Sequence, residues 1–285
     1  MVRRIVIGFV VAALAAACDR FDMVGLVAPA SADVEARVGE SISMFEASGP
    51  RVLTAPANGY RMYICTDIHT DEYPHRFEAF VRSMRSDGQA VGGLLLGDIA
   101  NRKGSLGIAA AVADTTAATG NGAPLMAIVG NHDLFFGQWD DFKRYFGSST
   151  YCFTVSTPGF SDLYIMLDSG GGCHGRRQMD WLKTLLRRRG DYRHCVVCTH
   201  VNLFRTDLSQ FVSGNLPLEE TYQLMELLSE NGVSLVLQGH DHHREDVVFG
   251  GVRYLTLDCL KDGTDNASYL VLEVGDRLLC DFKEQ

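Results

Sequence analysis

Pro-Leu-Met-Ala-Ile-Val-Gly-Asn-His-Asp, residues 124–133, decides how this chain is read. The six residues before Gly130 are uncharged and mostly apolar, a run too short for a helix and ended by glycine, which suits a buried strand. Gly130 lets the backbone turn sharply as it leaves that strand. Asn131 then offers a neutral carbonyl oxygen and His132 an imidazole. One residue can bind a metal and its neighbour can move a proton. Taken alone, Gly130-Asn131-His132-Asp133 fits a solvated turn equally well.

Upstream, residues 60–66 and 91–96 are further short apolar runs, so 125–129 is the third of a series. Between the first two, Phe77, Phe80, Val81 and Met84 fall at helical spacing, and 103–121 forms a weaker, Ala- and Thr-rich helix. Strands alternating with helices predict an α/β fold with a largely parallel sheet. Downstream, Phe135, Phe136, Trp139, Phe142, Tyr145 and Phe146 are expected to pack into the core, with a cap over the site as the alternative. Strands follow at 151–156 and 163–168. A glycine-rich loop at 169–175 leads into a helix carrying Trp181, Leu182, Leu185 and Leu186. A strand at 194–199, a helix marked by Leu218, Tyr222, Met225 and Leu228, and a strand at 233–238 come next. From Asp246 four strands, 247–249, 252–258, 267–274 and 277–282, are separated by glycine-containing turns and are expected to form an antiparallel meander.

The chain of 285 residues, 46% hydrophobic, suits one large domain. Arg3 and Arg4 precede an uncharged run at 5–17 that ends in Ala15-Ala16-Ala17-Cys18. At 13 residues this run is short of the ~20 needed to span a bilayer, and it reads as an export signal, 1–17. The small residues before Cys18 resemble a bacterial lipobox. The expectation is an exported lipoprotein of the cell envelope, held at a membrane by a lipid on Cys18, with a soluble periplasmic or secreted form as the alternative. Residues 18–58, rich in Ala, Ser, Gly and Pro without sustained periodicity, are expected to be a tether or N-terminal wrap. The catalytic domain is then 59–285. Loss of 1–17, with its two arginines and no acid, takes the formal charge from −9 to −11, which argues against nucleic acid as a partner. Cys195-Val-Val-Cys198 has CxxC spacing, but residues three apart in a strand face opposite sides, so buried thiols are expected.

The polar residues recur at one topological position. Asp67-Ile68-His69 follows the first strand, Gly97-Asp98 the second and Asn131-His132 the third. His200 follows the strand at 194–199, and Gly239-His240-Asp241-His242 the strand at 233–238. The carboxyl ends of strands are where α/β sheets bind ligands. Asp, Asn and His together suit Mn, Fe or Zn and not a soft thiolate site.

This ordered set, D-x-H, G-D-x-x-N, G-N-H-D, H and G-H-x-H between Asp67 and His242, resembles the calcineurin-like metallophosphoesterase superfamily. The Leu167-Asp168-Ser169 strand end and the Gln178-x-x-Trp181-Leu182 helix start are also familiar from it. The resemblance implies a four-layer α-β-β-α sandwich of two mixed β-sheets flanked by helices. It implies one divalent cation on Asp67, His69, Asp98 and His242 and a second on Asn131, His200 and His240, with Asp98 shared. A hydroxide between the two cations would attack phosphorus in line, and His132 would assist the leaving group. The substrate would be a phosphorylated small molecule or a phosphodiester. A metal-binding scaffold without catalysis on the same fold is the alternative.

Two positions depart from or extend that pattern. Where the phosphoprotein-phosphatase branch has an aspartate paired with the motif histidine, this chain has Asn101, whose amide is expected to orient His132 without stabilising its protonated form by charge. A purple acid phosphatase would carry tyrosine there. Arg102 is a candidate phosphate clamp against the plainer reading of a solvated arginine. Asp133 is expected to support the site. Residues 170–177, with His174, Arg176 and Arg177, form a second candidate substrate loop, and His75 and His243 are left as exposed or supporting residues.

Overall fold

Short apolar runs buried on both faces give the strands, and their alternation sets the layers. The computed structural model describes residues 34–117, 120–206 and 212–285. The expected export segment and Cys18 lie outside them. A five-stranded sheet has the order β12 (Leu278–Glu284), β11 (Ser268–Val274), β2 (Tyr60–Cys65), β3 (Ala90–Leu95) and β4 (Leu125–Ala127). A seven-stranded sheet runs β1 (Arg51–Thr54), β5 (Tyr151–Ser156), β6 (Ser161–Met166), β7 (Cys195–Cys198), β8 (Leu235–Gln238), β10 (Val252–Thr256) and β9 (Glu245–Phe249). β2, β3 and β4 are parallel to one another, as are β6, β7, β8 and β10 and the edge pair β1 and β5, while the remaining pairs are antiparallel.

Successive residues of a strand face opposite layers. In β2, Met62 and Ile64 point into the core between the sheets, where they join Leu94, Phe153, Tyr164, Val196, Leu237 and Leu270. Tyr63 and Cys65 point outward, under α2 (His75–Ser86), α3 (Ser105–Ala117) and α4 (Trp139–Phe146). In β6, Leu163 and Ile165 likewise face α5 (Gly175–Leu186) and α6 (Leu218–Glu230). The result is the α-β-β-α sandwich of two mixed sheets.

The expected single meander is not formed. β9 and β10 make a hairpin at the end of the seven-stranded sheet, closed by Gly250 and Gly251 at φ 58° and 79°. β11 and β12 cross to the other sheet, where β11 pairs with β2. Turn signals mark each hairpin, but which sheet it joins is settled by the edge available to it.

The tether reading of 18–58 is likewise corrected from Val34 onward. Val34–Ser48 is a helix, α1, and β1 adds to β5 in parallel register from Arg51↔Phe153 to Thr54↔Ser156. The buried positions of α1 are Val34, Arg37, Val38 and Ser41, an i, i+3, i+4, i+7 stripe. Two of the four are polar, which hides the helical period from a hydrophobicity reading. Phe45 meets Trp181 of α5 edge-on at 6.1 Å.

Of the aromatic stretch, Phe142 is fully buried and Trp139 and Phe146 pack beside it, as expected for core residues, whereas Tyr145 is exposed and Phe135 lies against the His132 ring. The described cysteines are all free, and Cys195 and Cys198 are buried thiols. No helix among the described residues is long and apolar enough to cross a membrane.

Phe153 and Tyr164 stack at 4.8 Å with both rings fully buried between the sheets. Phe153→Ala is expected to lower the unfolding free energy by about 3–5 kcal/mol, as large-to-small core substitutions do. Urea unfolding followed by circular dichroism measures it, and a loss below about 1 kcal/mol would mean that the layers repack freely around the gap.

Candidate metal centre

Five strands end at the same place. β2 runs into Asp67-Ile68-His69, β3 into Gly97-Asp98, β4 into Gly130-Asn131, β7 into His200 and β8 into Gly239-His240-Asp241-His242. The first three belong to one sheet and the last two to the other, so the site lies across the carboxyl edges of both. Among the described residues, the non-glycine positions with positive φ are Asp67 (51°), His69 (47°), Asp98 (49°), His240 (75°) and His242 (55°). A left-handed backbone at such residues costs on the order of 1–3 kcal/mol each. All five are residues of the expected cation set.

Backbone hydrogen bonds between the loops hold this conformation. Asp67 N donates to Gly97 O at 3.1 Å and His69 N to Asp98 O at 2.9 Å. The carboxylates do the same work: Asp98 Oδ1 accepts from His132 N at 2.8 Å, and Asp67 Oδ2 accepts from His240 N at 2.9 Å and Thr66 Oγ1 at 2.8 Å. The glycines are small because of what lies beside them. A Cβ on Gly130 would overlap Asp98 Oδ1 and Asp98 N, and one on Gly239 would overlap Thr66 Oγ1.

The side chains then converge. Asp98 Oδ2 is 3.4 Å from His200 Nε2, 3.8 Å from His69 Nε2 and 4.0 Å from His132 Nε2. Asp67 Oδ1 is 3.3 Å from His242 Nε2 and 3.8 Å from His69 Nε2. Asn131 Oδ1 lies 3.1 Å from both His200 Nε2 and His240 Nδ1. His200 Nδ1 donates to Leu96 O at 2.8 Å, which turns its other nitrogen toward the cluster. The groups sort into Asp67, His69 and His242 on one side and Asp98, His200 and His240 on the other, with Asp98 also grouped with His69 and His132.

The electrostatics favour ionised carboxylates at the centre. Burial works against both carboxylates, but His242 and His200 hold Asp67 below its ordinary range, and His200, His132 and His69 hold Asp98 well below it. Burial also opposes a proton on His200, yet Asp98 and Asp67 push that imidazole up to about 10. His69 is pushed down to about 4 by burial, and His240 to about 3 by burial and the charge of His200. Asp67 Oδ1, His69 Nδ1 and Asn131 Nδ2 are buried without a hydrogen-bond partner, and the Nε2 atoms of His69 and His242 face each other at 2.9 Å. An orphaned carboxylate oxygen and facing imidazole nitrogens fit divalent cations bound through oxygen and nitrogen.

The supporting residues differ in part from expectation. Asp133 is buried and ties two blocks together, accepting from Ala100 N at 2.8 Å and Gly130 N at 2.9 Å. Burial and the charge of Asp98 push its carboxyl up to about 7. Asn101 does not orient His132: its amide donates to Asp71 Oδ2 at 2.7 Å, and His132 Nδ1 has no partner. The ring of His132 is set by packing, with the His69 and Phe135 rings each 4.6 Å away. Arg102 is exposed and bonded to Asp71 O at 2.5 Å. The loop at 170–177 is tied down, since Glu220 accepts from His174 N and Gly175 N, Glu35 accepts from Arg176 N and Arg177 N, and His174 is fully buried. Arg205 was not anticipated. It forms a two-pronged ion pair with Asp241, between the two histidines of the last block, and an isolated arginine five residues after His200 carries no sequence signal.

Residues 60–244 match the family described as calcineurin-like phosphoesterase. The fold is similar to that of Plasmodium GAP50, described as the anchor in the inner membrane complex, at 13% identity over 79% of this chain and 84% of that one, with a TM-score of 0.56. It is also similar to the purple acid phosphatase PPD1 from yellow lupin seeds, at 14% identity over 80% and 52% of the two chains with a TM-score of 0.57. A putative 5'-nucleotidase from Staphylococcus aureus gives 12%, 79%, 53% and 0.51. This chain spans about half the length of the last two. At such identities the likeness is one of fold. No curated protein matches the chain.

Gly130→Ala is expected to empty at least one cation position while the chain stays folded, because the added carbon displaces Asp98. Metal content after gel filtration, read by plasma mass spectrometry beside far-UV circular dichroism, tests this, and a full complement of metal would refute it. Asn101→Asp sets a second carboxylate against Asp71. Its melting temperature should fall at low ionic strength and partly recover in ~0.5 M salt as the repulsion is screened; a salt-independent change would point to another cause.

Proposed function

As the chain belongs to the calcineurin-like phosphoesterase family, we propose that it hydrolyses phosphoric esters, monoesters or diesters, at a dinuclear cation site. The observation that supports this most is the convergence of seven oxygen and nitrogen donors from five strand ends, with Asp98 within 4 Å of groups on both sides. Asp67, His69 and His242 would hold one cation and Asn131, His200 and His240 the other, with Asp98 shared. A pair of Mn, Fe or Zn ions in that place supplies Lewis acidity toward phosphoryl oxygens and activates water.

The chain's own groups supply the rest. Asp98 fixes the His132 backbone through one carboxylate oxygen and faces the cluster with the other. His132, with its side chain 28% exposed at the rim, would give a proton from its ring to the departing oxygen. The packing of His132 between His69 and Phe135 holds that ring without a hydrogen bond to Nδ1.

The test is hydrolysis of p-nitrophenyl and bis-p-nitrophenyl phosphate by protein stripped of metal and then reloaded with Mn2+ or Zn2+. Activity should vanish on stripping and return on loading. Asp98→Asn should abolish turnover and lower metal content. His132→Ala should keep the metal and lose about 10²–10⁴-fold in kcat, the usual worth of a general acid. An emptied site in His132→Ala would make His132 a ligand. Metal-loaded protein inert toward a broad ester panel would favour the scaffold alternative.

A further inference from the structure

Helix α1 precedes the residues matched to the family, yet two hydrogen-bonded routes run from it to the same half of the centre. In the first, Arg37 donates from Nε and Nη2 to Asp168 Oδ2 and Oδ1 at 2.8 and 3.0 Å, with the two side chains 4% and 0% exposed. Asp168 Oδ1 also accepts from Gly170 N at 3.1 Å. Between them, Ser169 Oγ accepts from His200 N at 3.2 Å and Val201 N at 2.9 Å. Gly170 lies against the motif loop so closely that a Cβ there would stand 2.7 Å from Gly130 O. In the second route, Ser41 Oγ accepts from Ser149 N at 2.8 Å and Thr150 N at 2.7 Å. Ser149 Oγ in turn accepts from Val129 N at 3.0 Å, one residue before Gly130-Asn131. Gln178 Oε1 joins the routes by accepting from Thr150 Oγ1 at 2.6 Å and Asp168 N at 2.8 Å.

The first route ends at the backbone of His200 and the second at Val129, two residues before Asn131, and Asn131 and His200 would share a cation position with His240. Asp67 and His69 are held instead by Thr66, Gly97, Asp98 and His240. We infer that Arg37 and Ser41 are positioning residues for the Asn131–His200–His240 half of the centre, so that a helix outside the matched family region sets the affinity of that cation position far more than that of the other. A buried bidentate arginine–carboxylate pair suits this, because its planar fork fixes direction as well as distance. Supports beneath metal ligands commonly change affinity by about 10–100-fold when removed.

The inference rests on the dinuclear reading, and its test reads cation binding and not turnover. The metal-free full chain is titrated calorimetrically with Mn2+, and the event lost in His200→Ala identifies the half concerned. Arg37→Met and Ser41→Ala should each weaken that event by about tenfold or more and leave the other within about twofold, with Arg37→Lys falling between parent and Arg37→Met. Ser41→Ala removes no charge, so it carries the test if Arg37→Met does not fold. Unchanged affinities in the folded variants, equal weakening of both events, or a parent chain that binds fewer than two Mn2+ would overturn the inference. A parent that binds two Mn2+ but cleaves no ester would defeat the phosphoesterase reading and leave the positioning roles standing.

Discussion

Two carboxylates, Asp67 and Asp98, are buried where the carboxyl edges of the two sheets meet, and the rest of the structure answers to that placement. A buried carboxylate without a counter-charge is costly enough that folded proteins rarely keep one. Here the compensation has two parts. One oxygen of each carboxylate takes backbone or hydroxyl donors from neighbouring loops, and the other faces imidazoles. Imidazoles alone are an incomplete answer, because Asp67 Oδ1 keeps no hydrogen bond and His69 Nδ1 is buried without a partner. Divalent cations held by these groups would complete it.

The same constraint accounts for the backbone. Bringing five loops onto a cluster a few ångströms wide requires chain directions that ordinary residues avoid, so Asp67, His69, Asp98, His240 and His242 all take left-handed φ. Strain of this kind persists only where surrounding contacts over-determine it. The glycines at 97, 130 and 239 supply the close approach, and Asp133 and the Arg205–Asp241 pair pin individual loops. The sandwich serves as a rigid mount, since side chains of both sheets interlock between the layers and fix the two edges relative to one another.

The N-terminal helix extends this scheme beyond the family region. Its polar stripe, Arg37 and Ser41, is buried like a hydrophobic one but makes its hydrogen bonds to loops that back the candidate ligands. A helix held by directional polar contacts transmits position more exactly than an apolar face can, because a hydrogen bond weakens steeply with angle.

From the sequence alone, the strands, the five ligand blocks and their order could be read, because apolar runs and short motifs are local and each block sits on the loop after its strand. The residues that would hold two cations were named that way, and the structure brings them together. Tertiary structure decided what depends on distant partners. Asn101 turned to Asp71 and not to His132, because the loop after β2 presents a carboxylate that no local pattern announces. The last four strands divided between two sheets, because pairing follows free edges and not chain order. Residues 34–54 folded as helix and strand, because the period of α1 runs through an arginine and a serine whose partners lie more than a hundred residues away. Local chemistry named the candidate ligands; only the meeting of remote segments could show what holds them in place.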